Sequence, residues 1–96
     1  AAADAIPPSV TILSPRNGLV TTSRVGSTLA YVRASDNISV QKIEIRVNGG
    51  LVKTCDNNRV CFTYFNTQTV GTYTVEARAY DASGNTATAQ VSMQRK

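Results

Sequence analysis

The stretch Tyr80-Asp81-Ala82-Ser83-Gly84-Asn85-Thr86 places turn-forming residues in direct succession near the C-terminus. Residues 72–79 before it alternate between apolar and polar side chains, with the period of a half-buried strand. Residues 86–93 after it repeat that pattern. We therefore predict that the turn joins two antiparallel strands of one sheet. The alternating apolar residues are Tyr73, Val75, Ala77, Ala79, Ala87, Ala89, Val91 and Met93.

The same alternation recurs upstream, between sequences rich in Gly, Pro, Asn and Asp. No window places apolar residues at i, i+3, i+4 and i+7 over the length of a helix. About seven short strands therefore predict an all-β fold, an immunoglobulin-like antiparallel β-sandwich. The further strand segments are residues 9–13, 28–34, 40–47, 51–54 and 60–65, with a short edge piece at 19–23.

The strand at residues 28–34 leaves its buried face undecided. Small side chains on one face suit the close approach of two sheets, whereas Arg33 indicates that its own face is wetter. The two faces are Thr28, Ala30, Val32, Ala34 and Leu29, Tyr31, Arg33.

Length and composition restrict the class of protein. The chain has 96 residues, 42% hydrophobic and 17% charged, which fits one globular domain. We assign residues 1–8 to a linker or entering segment and residues 9–94 to the domain. The net charge of +4 comes from scattered basic residues, and His and Trp are absent, so no nucleic-acid partner is expected. Arg33, Arg46 and Arg78 remain candidates for one basic patch. No apolar run is long enough for membrane insertion.

Cys55 and Cys61 flank a polar turn sequence between two predicted strands. In a hairpin of this length their Cα atoms can approach to the distance that a disulfide requires. The alternative is a pair of reduced cysteines. Two thiolates without His leave a zinc shell incomplete, and the spacing is not that of a redox pair. A disulfide between Cys55 and Cys61 indicates an extracytoplasmic setting.

Five segments are typical of one known family, namely residues 7–12, 14–18, 34–37, 40–49 and 79–85. Together they resemble the bacterial Ig-like modules that accompany catalytic domains in secreted hydrolases and recur in surface adhesins. The resemblance runs from about residue 7 to residue 91 and implies a fold more than a function. The Cys55 to Cys61 hairpin departs from that pattern, and the core Trp and inter-sheet bridge of antibody domains are missing.

The inventory of reactive side chains argues against an enzyme. Without His, Ser and Thr lack their commonest base, and the two cysteines are expected to be bonded. Glu44 and Glu76 fall at outward strand positions, where a solvated charge is the ordinary interpretation. We predict that the domain is not catalytic.

Four residues in two loops are candidates for a calcium site. In an Ig-type sandwich the loop after the second strand and the loop between the last two strands lie at the same end, beside Asp4 of the entering segment. Carboxylate, amide and carbonyl oxygens are the ligands that calcium takes, and similar adhesin modules hold calcium between domains. The alternative is that these side chains bind their own backbone and fix the turns. The residues are Asp36, Asn37, Asp81 and Asn85.

The aromatic residues could form a binding surface if they point outward, or fill the core. Candidates are Tyr31, Tyr64, Phe65 and Tyr80, although the absence of Trp makes a sugar platform less favoured. Tyr73 is predicted to be the corner tyrosine, with its hydroxyl returning to the backbone.

These observations favour an accessory module of a secreted or surface bacterial protein. Its role would be to position a neighbouring catalytic domain of the same polypeptide or to help it engage substrate. The alternatives are a module that binds carbohydrate, matrix protein or cell surface, and an adhesin repeat rigidified by calcium. The expected partners beyond that domain are a polysaccharide or an extracellular protein.

Overall fold

The computed structural model describes residues 7–22, 26–36 and 39–96. Nearly all of this part is extended, as the period-two pattern predicts. The described residues contain no helix that could span a membrane. The described residues form eight strands, β1 (Ser9–Ser14), β2 (Leu19–Thr21), β3 (Ser27–Ser35), β4 (Val40–Val47), β5 (Gly50–Asp56), β6 (Val60–Asn66), β7 (Gly71–Asp81) and β8 (Thr86–Arg95).

The strands form two facing sheets, so the predicted immunoglobulin-like sandwich is confirmed. One sheet has the order β1-β3-β6, and the other has the order β2-β8-β7-β4-β5. The short edge piece is β2, which brings the described strands to eight instead of about seven. It pairs in parallel with the end of β8, while the other described strand pairs are antiparallel.

The core lies between the sheets and settles which face of β3 is buried. Ala30, Val32 and Ala34 point inward, while Leu29, Tyr31 and Arg33 lie on the outer face. Small β3 side chains leave room for larger ones from β4 and β6 in the narrow space between two sheets. The buried hydrophobic residues are Ala30, Val32, Ala34, Val40, Ile43, Ile45, Cys61, Phe65, Val75, Ala77, Ala79 and Met93.

Cys55 and Cys61 form the predicted disulfide, with Cα atoms 5.7 Å apart, but the predicted hairpin is wrong. β5 pairs with β4 in the five-stranded sheet, whereas β6 pairs with β3 in the three-stranded sheet. The chain changes sheets between the two cysteines. The disulfide is therefore a bridge between the sheets, a feature that the sequence interpretation considered missing.

The prediction for Tyr73 is confirmed. Tyr73 donates its hydroxyl to the Thr69 carbonyl at 2.6 Å, which is the corner-tyrosine contact. Asn48 and Gly49 join β4 to β5 with φ of 51° and 86°, the left-handed conformation that a two-residue hairpin turn demands. Asn48 Oδ1 also accepts from the Thr74 amide at 2.9 Å.

The chain enters and leaves the sandwich at opposite ends. Ser9, where β1 begins, pairs with Ser35 at the end of β3, beside the loop that leads to β4. Arg95, where β8 ends, pairs with Gly71 at the start of β7. The molecule measures 52 × 20 × 18 Å, so the strands run along its long axis.

Candidate binding face and loop end

The outer face of the three-stranded sheet carries large exposed rings. β6 alternates so that Cys61 and Phe65 are buried, while Phe62 and Tyr64 point outward with 55% and 67% of their surface exposed. Large exposed aromatic side chains next to each other on one sheet face make this face a candidate for binding.

Neighbouring strands extend this surface across the sheet. Tyr31 on β3 lies opposite Phe62, and their rings are nearly parallel, with centroids 6.0 Å apart. Leu29 lies opposite Tyr64. We call Leu29, Tyr31, Phe62 and Tyr64 the aromatic face.

Basic and hydroxyl groups flank the aromatic face. Arg33 follows Tyr31 by two positions and shares its side of the sheet. Next to it is a shallow cavity of about 260 Å³ on the β1 side. None of the described strands of this sheet carries an acidic residue. The cavity is lined by Ser9, Thr11, Leu13, Arg33, Ala34 and Ser35.

The outer face of the five-stranded sheet has the opposite character. Cross-strand register places Lys42 opposite Tyr80, Glu44 opposite Arg78 and Arg46 opposite Glu76. Glu44 pairs with Arg46 at 3.3 Å, and Glu76 pairs with Arg78 at 3.8 Å. These charges satisfy one another, and Arg33 lies on the other sheet, so the three arginines do not gather into one patch.

Glu44 is not the solvated charge that the sequence suggested, since only 9% of it is exposed. The Tyr80 hydroxyl donates to Glu44 Oε1 at 2.5 Å, and Lys42 lies over the Tyr80 ring, 4.4 Å from its centroid. The hydrogen bond from Tyr80 lowers the pKa of Glu44; desolvation opposes this shift, and Arg46 reinforces it. The residue stays ionised within a small polar network.

The loop between β7 and β8 is braced from within by Asp81, which is 1% exposed. Asp81 Oδ1 accepts from the Ser83 amide at 2.9 Å and from the Asn85 amide at 2.8 Å. Asp81 Oδ2 accepts from Asn85 Nδ2 at 2.9 Å. Gly84 completes the turn with φ of 89°. Asp81, Gly84 and Asn85 thus fix the hairpin between β7 and β8.

Asp36, another calcium candidate, lies at the same end of the sandwich. Val40 pairs with Asp81, and Asp36 precedes Val40 by four residues. Asp36 Oδ2 accepts from the Ser39 amide at 3.3 Å. Asn37 and Asp4 lie outside the described residues. Within the described ranges, no three acidic, His or Cys side chains are grouped to hold a metal ion.

The predicted aromatic candidates separate into three environments. Tyr31 and Tyr64 belong to the aromatic face, Phe65 is buried in the core, and Tyr80 is half-buried in the polar network. Phe62 was not among the candidates. Phe62 and Tyr64 are two residues apart, so their rings lie on the same face of β6. Phe65 is a large aromatic residue on the opposite face, so the sequence alone did not show which of the two faces is exposed.

Comparisons with known proteins support the fold. A family model described as a bacterial Ig domain matches residues 8–91. The fibronectin(III)-like modules of Clostridium thermocellum CbhA superpose with a TM-score of 0.74 at 16% identity, over 95% of this chain and 47% of that chain. A Cellulomonas fimi endo-beta-1,4-mannanase double mutant superposes with a TM-score of 0.60 at 29% identity, over 97% of this chain.

No curated protein sequence gives a significant match. The chain spans about half of the CbhA structure and 19% of the mannanase structure. Folds of this kind therefore occur as parts of larger polypeptides.

Proposed function

This chain belongs to the bacterial Ig domain family, and we propose that it is a non-catalytic accessory module that holds a neighbouring domain of the same polypeptide at a set distance and orientation. The domain, residues 9–94, acts as a stiff spacer, and the protein that contains it works outside the cytoplasm.

The observation that carries this proposal is the placement of the two ends. Ser9, where β1 begins, and Arg95, where β8 ends, lie at opposite ends of a molecule 52 Å long. Two features stiffen the connection between them. β7 and β8 pair continuously over ten positions, and the Cys55–Cys61 disulfide joins the two sheets.

The comparisons support the setting of this module. One structural relative is part of an endo-beta-1,4-mannanase, and the likeness covers 19% of that chain. We infer by analogy that the neighbouring domain is a hydrolase of an extracellular polymer. The disulfide agrees with an oxidising compartment.

The test replaces residues 9–94 within the complete polypeptide by a flexible Gly-Ser segment of the same number of residues. Hydrolysis of a soluble oligosaccharide is expected to stay unchanged, because the neighbouring active site is intact. Hydrolysis of the insoluble polymer is expected to fall severalfold, because the active site loses its fixed position relative to the rest of the protein. Equal rates on both substrates would contradict the spacer role.

A further inference from the structure

We propose that the aromatic face binds a single chain of an acidic polysaccharide, with sugar rings stacked on Phe62 and Tyr64 and a sugar carboxylate facing Arg33. This inference rests on the proposed accessory role and adds the surface and the class of ligand. It is carried by the size of the face, its charge and its rigidity.

The size of the face favours a narrow ligand. Three strands spaced about 4.8 Å apart and about seven residues long give a surface on the order of 300 Å². A stable protein dimer needs roughly 800 Å² from each partner. The aromatic face is too small to hold a second copy of this chain, whereas one polymer chain lying along β6 would cover it.

The spacing of the rings suits a ligand with repeated flat units. Phe62 and Tyr64 occupy alternate positions of β6, so they stand about 7 Å apart along the strand. Tyr31 packs beside Phe62, with ring centroids 6.0 Å apart. Rings of this kind offer apolar surfaces to the C–H faces of sugars, and the Tyr hydroxyls offer hydrogen bonds at the rim.

The charge of the face favours an acidic chain over a neutral one. Arg33 lies next to the hydroxyls of Ser9, Thr11 and Ser35, which together offer donors to a carboxylate. A second basic residue, Arg59, lies in the loop before β6. Its carbonyl accepts a hydrogen bond from the Ala34 amide at 2.8 Å, which places Arg59 beside the end of β3 that carries Arg33. Asp36 at that end is the acidic residue nearest in sequence to the sheet, and it accepts from the Ser39 amide. The Glu44–Arg46 and Glu76–Arg78 ion pairs are on the other sheet.

The face is also held rigidly. Cys61 directly precedes Phe62 in β6, and its side chain points into the core. A disulfide joins it to Cys55 of the opposite sheet. The strand that carries both rings is therefore fixed before a ligand arrives, which lowers the entropy lost on binding.

The test is affinity electrophoresis of the whole 96-residue chain in three kinds of gel. One contains polygalacturonate, the acidic probe, one contains galactan, its neutral counterpart, and one contains polyuridylate, an acidic polymer that is not a polysaccharide. Retardation by polygalacturonate is expected to exceed that by galactan and to weaken as salt is added. Phe62→Ala and Tyr64→Ala are each expected to weaken binding about five- to tenfold, as the loss of one ring contact predicts. Arg33→Gln is expected to weaken binding to polygalacturonate and leave binding to galactan unchanged.

Leu51→Ala is the matched control, since Leu51 is 52% exposed on β5 of the other sheet. It is expected to bind like the unaltered chain, and thermal melts check that all variants are folded. Four results would overturn the proposal. They are equal retardation by galactan and polygalacturonate, retardation by polyuridylate alone, loss of binding in Leu51→Ala, and the absence of retardation in every gel. The linker replacement removes Phe62 and Tyr64 together with the spacer, so the spacer role is tested separately on the intact domain, by the distance between two proteins fused to its ends. None of the outcomes in the gels changes that distance.

Discussion

At the scale of single residues, the Glu44–Tyr80 contact shows how a charge on an outer strand face becomes part of the fold. The pKa of Glu44 is lowered in the folded chain, so its ionised form favours folding. That contribution is complete above the unfolded pKa and is lost as the pH falls through the lower, folded pKa. Tyr80 supplies the largest part of the shift through its hydroxyl.

Tyr80→Phe is therefore expected to lower the free energy of unfolding by about 1 kcal/mol at neutral pH. The difference from the unaltered chain should shrink below about pH 4, where Glu44 becomes protonated in the unfolded state. Urea denaturation at several pH values measures both effects. Tyr64→Phe is the control, because it removes a hydroxyl from a ring that is 67% exposed on the other sheet. A constant difference across the pH range would contradict the coupling to Glu44.

Asp81 gives a second prediction at this scale, and it separates turn bracing from calcium binding. Asp81→Ala removes the acceptor of three hydrogen bonds and should destabilise the domain by about 2 to 3 kcal/mol. Asp36→Ala should cost less, since Asp36 is more exposed and its bond to Ser39 is longer.

Thermal melts with calcium and with chelator complete this test. If bracing is the role of Asp81, the melting temperature should be the same in both conditions. A ligand that binds only the folded state raises the melting temperature. A rise with calcium that either variant abolishes would instead show that Asp36 and Asp81 share an ion.

At the scale of strands, the disulfide joins elements that share no backbone ladder. Closing the seven-residue loop between Cys55 and Cys61 is worth about 2 kcal/mol through the entropy of the unfolded chain. The double variant Cys55→Ala, Cys61→Ala is expected to lose about that much stability in urea denaturation. Reducing agent should destabilise the unaltered chain by a similar amount and leave the double variant unaffected. Equal stability of the oxidised and reduced forms would show that the bridge has no such role.

The strands themselves were predictable because each buries one face, and that leaves an alternating pattern in the sequence. The path of the chain from one sheet to the other could not be predicted. A turn to a neighbouring strand and a crossing to the other sheet use the same kinds of polar residue. Residues 56–60 are an example, since they read as a hairpin loop and instead connect the two sheets. Adjacency in sequence could predict that Cys55 and Cys61 meet, but not which sheets they join.

The aromatic face was only partly predictable for a related reason. β6 has large apolar side chains on both faces, so alternation alone does not tell which face is inside. The choice depends on β3, whose small residues Ala30 and Val32 must face the other sheet. Once that face is fixed, the register of β3 with β6 places Tyr31 beside Phe62 on the outside. Tertiary pairing supplies this information, and a single strand does not contain it.

At the scale of the whole molecule, stiffness distinguishes this domain from a simple tether. A Gly-Ser segment of the same number of residues as the domain would have a root-mean-square end-to-end distance of about 50 Å. The folded molecule is 52 Å long. The Gly-Ser segment and the folded domain therefore span similar lengths on average. The folded domain differs because it restricts the distance between its two ends to a narrow range.

This difference leads to a prediction about two small globular proteins fused to the domain, one before residue 9 and one after residue 94. Spin labels on the two fused proteins should give a narrow distribution of separations longer than 52 Å, because the fusions project from opposite ends. The Gly-Ser control should give a broad distribution that extends to much shorter separations, since a flexible chain samples compact states. The labels avoid Cys55 and Cys61, so the disulfide stays intact. If the domain gave a distribution as broad as the control, or placed the fused proteins side by side, its ends would not hold their neighbours apart.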